Sequence, residues 1–236
     1  MNLFEAKLIE RIKRTDSIES FRFLPDKKIE FLPGQFLQVI FDEDKLDKKD
    51  LNKYLSFSSS PFKNYIEFTK RLSNSIFSQK LNSLEANDTI LIKAPLGNCI
   101  FKDEYGKIAF LIGGIGITPV ISIIEYIMEK KLDMDILLFY SNRTEDEIAF
   151  RKELDSWQSQ NKKIKIIYTV TDCQPKDKRC LLGHIDKTLL SSKISDMRER
   201  VFFTFGPPGM VKAMENLCLE LSCNKENIKT ESFLGY

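Results

Sequence analysis

One stretch near the middle of the chain constrains the fold most, because it joins an apolar run to a glycine-rich turn and a helical pattern. Residues 108–112 are all apolar and predict a buried strand, and residues 119–131 have the apolar spacing of a helix. Between them, Thr suits the N-cap of the helix and Pro suits the position after it. The turn residues that we predict to face a ligand are Gly114, Gly116, Thr118 and Pro119.

A strand, a bare turn and a helix start together suit an anionic group such as a pyrophosphate. The first turn of a helix leaves backbone N–H groups free beside a positive dipole end, and glycine lets a ligand approach the backbone closely. The dinucleotide-binding fingerprint has a third glycine where this chain has Pro119. A tight strand-to-helix turn without a ligand is therefore an open alternative.

Composition narrows the class of protein. The chain has 236 residues, which predicts one large or two modest domains, and its net charge of +2 argues against a nucleic-acid-binding surface. No apolar run reaches the ~20 residues of a membrane helix, and the charged N-terminus is unlike a signal peptide, so we expect a cytoplasmic protein. Five cysteines without a C-x-x-C pair and a single histidine, His184, predict free thiols and no metal site.

Short strand patterns separated by turns dominate the first part of the chain. Regular short strands of this kind predict a closed antiparallel barrel or a sandwich, here with one short helix. The predicted strands cover residues 2–14, 18–24, 36–41, 54–60, 65–72 and 89–95, and the helix covers residues 75–84.

After residues 102–106 the pattern changes, and strands alternate with helices. This alternation predicts a doubly wound parallel sheet. The predicted strands cover residues 108–112, 134–140, 164–170, 201–205 and 229–233, and the predicted helices cover residues 119–131, 145–160, 186–190 and 208–222.

Ligands of an open α/β sheet bind beyond the carboxyl ends of its strands, and three loops of this chain fall there, the glycine turn being the first. In the second loop the usual acidic ribose ligand is missing. Arg143 in that loop suits a 2′-phosphate or an adenine ring, or it is an exposed residue before an N-cap at Thr144. The candidate residues of the second and third loops are Ser141, Asn142, Arg143, Gly206, Pro207, Pro208 and Met210.

The antiparallel part has its own polar cluster. Four serines occur within residues 56–60, and since strands tolerate serine poorly, these hydroxyls are predicted to form hydrogen bonds. Residues 69–71, Thr-Lys-Arg, precede a second helix start at residues 75–78, and the two segments together suit a phosphate group. A polar rim of the barrel is the open alternative.

In their order and spacing, these motifs resemble the ferredoxin–NADP reductase superfamily of flavoproteins over nearly the whole chain. The segments that carry the resemblance are residues 33–36, 53–56, 75–78, 113–119, 140–143, 206–210 and 231–236. The resemblance implies an antiparallel Greek-key β-barrel that binds FAD in residues 1–103. It implies a doubly wound parallel-sheet α/β domain that binds NADH or NADPH in residues 104–236.

The resemblance also implies residue roles. Lys53 and Leu55 replace the arginine and the aromatic residue of the family's flavin motif, and the retained hydroxyl of Ser56 lies near the reactive flavin nitrogen in that family. The residues implied to contact FAD are Lys53, Tyr54, Leu55, Ser56, Thr69, Lys70, Arg71, Ser75, Ile76, Phe77 and Ser78. The candidate residues of the three sheet loops are implied to contact NAD(P)H, and Phe233 or Tyr236 is implied to stack on the flavin.

The mechanism implied by the resemblance is hydride transfer from NADH or NADPH to FAD, followed by electron transfer to a separate acceptor. Ser56 and Tyr236 are predicted to act at the flavin, and Gly116→Val is predicted to weaken nucleotide binding while leaving flavin bound. The expected acceptor is a partner protein such as ferredoxin, flavodoxin or an oxygenase component. A free-flavin or ferric-chelate reductase and a non-catalytic nucleotide-binding subunit are the alternatives.

Overall fold

A computed structural model describes residues 2–44, 48 and 50–233. The chain forms two compact units. The first unit is built from Met1–Phe101 and Thr118–Glu129, and the second from Lys102–Ile117 and Lys130–Tyr236. The assignment of FAD to residues 1–103 and of NAD(P)H to residues 104–236 concerns function and stays a prediction.

The first unit contains an antiparallel sheet that curls into a nearly closed barrel. Its strands are β1 (Asn2–Lys13), β2 (Ile18–Pro25), β3 (Phe36–Ile40), β4 (Asn52–Ser56), β5 (Ile66–Arg71) and β6 (Thr89–Leu96), and the short helix α1 spans Ile76–Asn82. The strand order is β4-β3-β6-β1-β2-β5. A bridge between Phe57 and Phe68 brings the two ends of this order together.

The barrel closes around an aromatic core that the strand alternation produces. In β1, Phe4, Ala6 and Leu8 are buried while the residues between them are exposed, because successive side chains of a strand point to opposite faces. Phe23 stacks on Phe68 with ring centroids 5.3 Å apart. The predicted barrel is therefore confirmed, and its interior is filled by side chains.

The second unit contains a parallel sheet of order β10-β9-β8-β7-β11-β12. Its strands are β7 (Lys107–Gly113), β8 (Asp135–Asn142), β9 (Ile164–Val170), β10 (Cys180–Leu182), β11 (Val201–Gly206) and β12 (Ile228–Ser232). The helices between these strands in the chain are α2 (Ile117–Lys130), α3 (Arg151–Gln160), α4 (Lys187–Lys193) and α5 (Pro208–Glu220).

Helices cover both faces of this parallel sheet, which confirms the doubly wound prediction. Leu190 of α4 and Met214 of α5 pack in one hydrophobic cluster with Leu111 of β7. On the opposite face, Arg151 of α3 lies over the ring of Tyr168 in β9, 4.2 Å from its centroid. Strands covered on two faces read as continuous apolar runs, as residues 108–113 of β7 do.

Two sequence predictions for this unit are corrected. The helix predicted over residues 145–160 is instead a 3₁₀ turn (Glu145–Glu147) and α3, separated by Phe150 in the left-handed region at φ 58°. Residues 148–150 are all buried, and three consecutive residues cannot all face one side of a helix. Thr144 makes no capping hydrogen bond through its side chain. The edge strand β10 is the second correction, since no strand was predicted there.

Three general expectations concern membranes, metals and thiols. In the part of the chain that the structure describes, no helix is both long and apolar enough to cross a bilayer. The same residues contain no group of three or more His, Cys, Asp or Glu side chains that could hold a metal ion. The five cysteines are free thiols, as predicted.

Candidate functional site

Two lysine side chains lie near each other where the ends of the barrel's strand order meet. Lys53 belongs to β4 and Lys70 to β5, and Lys70 is only 9% exposed. The Nζ of Lys70 donates a hydrogen bond of 3.1 Å to the carbonyl oxygen of Arg71. Burial, and secondarily the positive charge of Lys53, lower the pKa of Lys70 to about 8.

No carboxylate among the described residues neutralises this pair of cations. Neither ammonium group forms an ion pair with a carboxylate among residues 2–44, 48 and 50–233. A buried charge is costly unless an opposite charge accompanies it, and the repulsion between two cations adds to that cost. The pair therefore suits a bound anion with more than one negative charge, such as a pyrophosphate.

The serine cluster next to Lys53 divides into two kinds of hydroxyl. Ser58, Ser59 and Ser60 are buried, and each hydroxyl hydrogen-bonds to the protein at 2.8 to 3.2 Å. Ser56 is the last residue of β4 and is 7% exposed, and its hydroxyl has no hydrogen-bond partner within the described residues. The predicted hydrogen bonding of the cluster is confirmed for three serines, and the binding of a ligand by Ser56 stays a prediction.

The other predicted FAD residues differ in how far their side chains reach the surface. Tyr54 and Ile76 are 63% and 55% exposed. Thr69 and Phe77, by contrast, are 2% and 0% exposed, and Phe77 belongs to the barrel core. The hydroxyl of Ser75 caps α1 by accepting the backbone N–H of Ser78 at 3.3 Å. The structure thus directs the side chains of Thr69 and Phe77 into the protein, and Ser78 is equally buried at 1% exposed.

These residues fit FAD. The two uncompensated lysines suit its pyrophosphate, and the Ser56 hydroxyl can donate to or accept from a flavin edge. The exposed ring of Tyr54 offers a flat surface for stacking and is held edge-on against Phe36, with centroids 5.8 Å apart. Leu55, beside it in β4, is half-buried.

In the second unit, the three glycines of the central turn have different surroundings. A Cβ atom at Gly113 would lie 2.1 Å from the Sδ of Met210, and one at Gly116 would lie 2.2 Å from the carbonyl oxygen of Phe205. Gly114 has φ +52° and open space where a Cβ would be. Gly116 is therefore required for packing against the backbone of β11, whereas a side chain at Gly113 has only to displace the flexible side chain of Met210. Gly114 alone among the three has open space beside its Cα.

The start of α2 differs from the sequence prediction. A 3₁₀ turn, Gly114–Gly116, already begins the helical backbone, so the cap position falls at Gly113 and α2 runs on from Ile117. Thr118 is the second residue of α2 and therefore cannot be its N-cap. Pro119 lies in the first helical turn, where a missing N–H costs nothing. The strand, bare turn and helix start are otherwise as predicted.

The carboxyl ends of β7, β8 and β11 lie side by side. Gly113 pairs with Ser141, and the Cα of Gly206 packs close enough to Gly113 that a Cβ there would lie 3.2 Å from its carbonyl oxygen. Asn142 is 5% exposed, and neither polar atom of its amide has a hydrogen-bond partner in the part of the chain described. The exposed candidate residues at this edge are Arg143, Pro207 and Pro208, of which Pro207 caps α5 and Pro208 is its first residue.

The sequence analysis did not include Glu231 among the candidates. Its Oε2 is buried without a hydrogen-bond partner in the described chain, and burial raises the pKa of this carboxyl to about 7. A strongly shifted carboxyl at the ligand-binding edge of a sheet is a candidate functional group. Its position opposite Phe205 in the β11–β12 pairing depends on strand register, which local sequence does not reveal.

The chain-terminal aromatic residues can be followed only in part. The backbone N–H of Phe233 donates to the carbonyl oxygen of Gly206 at 2.9 Å, which places Phe233 beside the third loop. Tyr236, predicted to stack on the flavin, lies outside the described residues.

Comparisons with known proteins identify two domain models along the chain. Residues 5–101 match the model of the oxidoreductase FAD-binding domain, and residues 110–216 match that of the oxidoreductase NAD-binding domain. The chain is 27% identical to nitrate reductase [NADH] of Cucurbita maxima, over 97% of this chain and 27% of the relative. It is 30% identical to NADH-cytochrome b5 reductase 2 of Debaryomyces hansenii, over 75% of this chain and 65% of the relative.

A solved structure supports the fold. A ferredoxin NADP⁺ reductase from Neisseria gonorrhoeae with bound FAD and NADP superposes with a TM-score of 0.82 at 20% identity, over 98% of this chain and 99% of that one. The chain spans less than two thirds of both relatives named above. With the two domain models in their expected order and the barrel and parallel sheet that they require, this chain belongs to the ferredoxin–NADP reductase superfamily, whose members are FAD- and NAD(P)H-dependent reductases.

Proposed function

We propose that this chain takes hydride from NADH or NADPH onto FAD and passes the electrons to a separate protein acceptor. The observation that supports it most is the uncompensated pair Lys53 and Lys70 beside the unpartnered hydroxyl of Ser56. That set matches a flavin nucleotide in charge and in hydrogen-bonding capacity. Among the relatives, NADH-cytochrome b5 reductase 2 is named for a protein acceptor, and the nitrate reductase is named for NADH as donor.

FAD supplies the redox chemistry, since a flavin accepts a hydride and can release its electrons to a different partner. The chain's own residues bind and orient. Lys53 and Lys70 hold the pyrophosphate, and the Ser56 hydroxyl hydrogen-bonds to the ring edge. Tyr54 supports the ring face by stacking. In the second unit, the open backbone at Gly114 and the start of α5 bind the pyrophosphate of NAD(P)H.

The first test is an anaerobic visible spectrum of the purified chain with added FAD, followed by NADH and then NADPH. We expect flavin absorbance that bleaches with one donor, which identifies that donor. A chain that retains no flavin absorbance after it is incubated with FAD and the unbound FAD is removed contradicts the proposal and favours a non-catalytic nucleotide-binding subunit.

A second measurement separates the acceptors. Steady-state turnover is followed with cytochrome b5 and ferredoxin as protein acceptors, and with free FMN and ferric citrate as small ones, at equal concentrations. We expect kcat/KM to be at least tenfold higher for a protein acceptor than for either small acceptor. The reverse order contradicts a protein acceptor and identifies the chain as a flavin or ferric-chelate reductase.

A further inference from the structure

Five side chains of the barrel form a closed ring of hydrogen bonds. Arg14 donates from Nη2 to Glu67 at 3.0 Å and from Nε to Ser20 at 2.7 Å. The hydroxyls of Ser20 and Thr69 are 2.6 Å apart, and those of Thr69 and Ser58 are 2.8 Å apart. Ser58 donates to Glu67 at 3.3 Å, which closes the ring.

The two charged members of the ring, Arg14 and Glu67, decide the direction of every hydrogen bond in it. Arg14 can only donate and the carboxylate of Glu67 can only accept. The proton of Ser20 must therefore point to Thr69, that of Thr69 to Ser58, and that of Ser58 to Glu67. Ser20, Ser58, Glu67 and Thr69 are each at most 3% exposed, so water does not compete for these bonds. Hydrogen bonds aligned in one direction strengthen one another.

The ring holds the chain two residues after Ser56. Strand β4 ends at Ser56, and the next residue, Phe57, is still held by its backbone N–H, which donates to the carbonyl oxygen of Gln35 at 3.2 Å. The pairing of β4 with β3 does not extend to Ser58. Ser58 is fixed instead by its hydroxyl in the ring and by its backbone N–H, which donates to the carbonyl oxygen of Glu67 at 2.7 Å. The backbone N–H of Glu67 in turn donates to the hydroxyl of Ser59 at 3.0 Å.

We propose that this ring positions the Ser56 hydroxyl for the flavin, and that Thr69, at its centre, is a positioning residue. The inference rests on the proposed binding of FAD at Ser56. It reassigns Thr69, because both hydrogen bonds of its hydroxyl are made inside the ring. Glu67 anchors the ring, and Arg22 supports Glu67 from outside with a hydrogen bond of 2.7 Å from its Nε.

The test compares two substitutions at one position. Thr69→Val keeps the shape of the side chain and removes the hydroxyl, whereas Thr69→Ser keeps the hydroxyl. We expect Thr69→Val to raise the FAD dissociation constant about tenfold, the effect of one misplaced hydrogen bond, and to shift the visible flavin spectrum and midpoint potential. Thr69→Ser is expected to restore all three values. Thr89→Val, an exposed threonine of β6 outside the ring, is the control.

A double substitution asks whether the ring acts as a unit. Once Thr69→Val has opened it, Ser58→Ala is expected to add less than a twofold further change, although alone it has nearly the full effect. A folded Thr69→Val chain with the wild-type affinity, spectrum and potential overturns the inference. If Thr69→Val does not fold, Ser58→Ala gives the same readings.

Failure of the wild-type chain to bind FAD overturns the proposed function instead. Hydrogen exchange at residues 56–58 of the FAD-free variants then tests whether the ring holds this segment. Faster exchange in the variants than in the wild-type chain supports the ring, and equal exchange contradicts it.

Discussion

At the scale of single residues, Lys70 is predicted to make FAD binding depend on pH. Its pKa is about 8 in the free protein, so above pH 8 the side chain becomes neutral. A bound pyrophosphate favours the charged form of Lys70 and raises its pKa. Above pH 8, Lys70 must therefore take up a proton when FAD binds, which weakens the affinity. We expect the FAD dissociation constant to be level below pH 8 and to rise by up to tenfold per pH unit from pH 8 to 9. Flavin fluorescence titrations between pH 6.5 and 9 measure it.

Two variants of Lys70 provide the controls for this pH dependence. Lys70→Met removes the charge, so its affinity is expected to be weak and flat over the same pH range. Lys70→Arg keeps the charge at every pH in the range, so its affinity is expected to be flat as well and stronger than that of Lys70→Met. An unchanged pH dependence in Lys70→Met assigns the titration to another group and contradicts this prediction.

At the scale of elements, two glycines of the turn between β7 and α2 are predicted to have different roles, Gly116 in packing and Gly114 in nucleotide binding. A side chain at Gly116 collides with the backbone carbonyl of Phe205 in β11, which cannot move without shifting its strand. We therefore expect Gly116→Val to lower the free energy of unfolding by about 2–3 kcal/mol. This loss of stability adds to the weaker nucleotide binding expected of Gly116→Val, and retention of bound flavin in that variant stays a prediction.

Gly114→Ala is the matched substitution in the same turn. The site has space for the methyl group, and the cost of a left-handed residue is about 1 kcal/mol. We expect this variant to stay folded and to bind FAD normally, with at least a tenfold weaker affinity for NAD⁺. Denaturant unfolding and calorimetric titration separate the two quantities. An unaltered affinity for NAD⁺ in Gly114→Ala removes this turn from the nucleotide site.

At the scale of the whole molecule, the two units are expected to respond to different ligands. FAD added at 100 times its dissociation constant stabilises the unit that binds it by about 2.7 kcal/mol. Slower amide hydrogen exchange then shows which residues belong to that unit. We expect FAD to slow exchange mainly in residues 50–101 and NAD⁺ to slow it mainly in residues 107–117 and 135–143. Hydrogen exchange with mass spectrometry measures both. Protection by FAD confined to the second unit contradicts the assignment of the barrel.

The fold class and the locations of most elements could be predicted because they follow from local periodicity. The alternation in β1 identifies a strand with one buried face, and the unbroken apolar run of β7 identifies a strand buried on both faces. Neither inference needs knowledge of the neighbouring strands. The prediction of one helix over residues 145–160 was wrong because the backbone there is determined by contacts with distant parts of the chain. Ile148, Ala149 and Phe150 are all buried by other parts of the chain, and Phe150 turns the backbone accordingly.

The sequence by itself determined an antiparallel part followed by an alternating strand–helix part, because composition and periodicity are local properties, and the spacing of its motifs indicated its resemblance to flavoprotein reductases. Only the tertiary structure decided which of those residues remain available to a ligand. Strands at opposite ends of the barrel order bring Lys53 to Lys70, and the ring around Thr69 uses the Ser58 hydroxyl and leaves that of Ser56 open. Such contacts join residues far apart in the chain. A polar side chain can bind a ligand only if none of these contacts already uses its polar atoms.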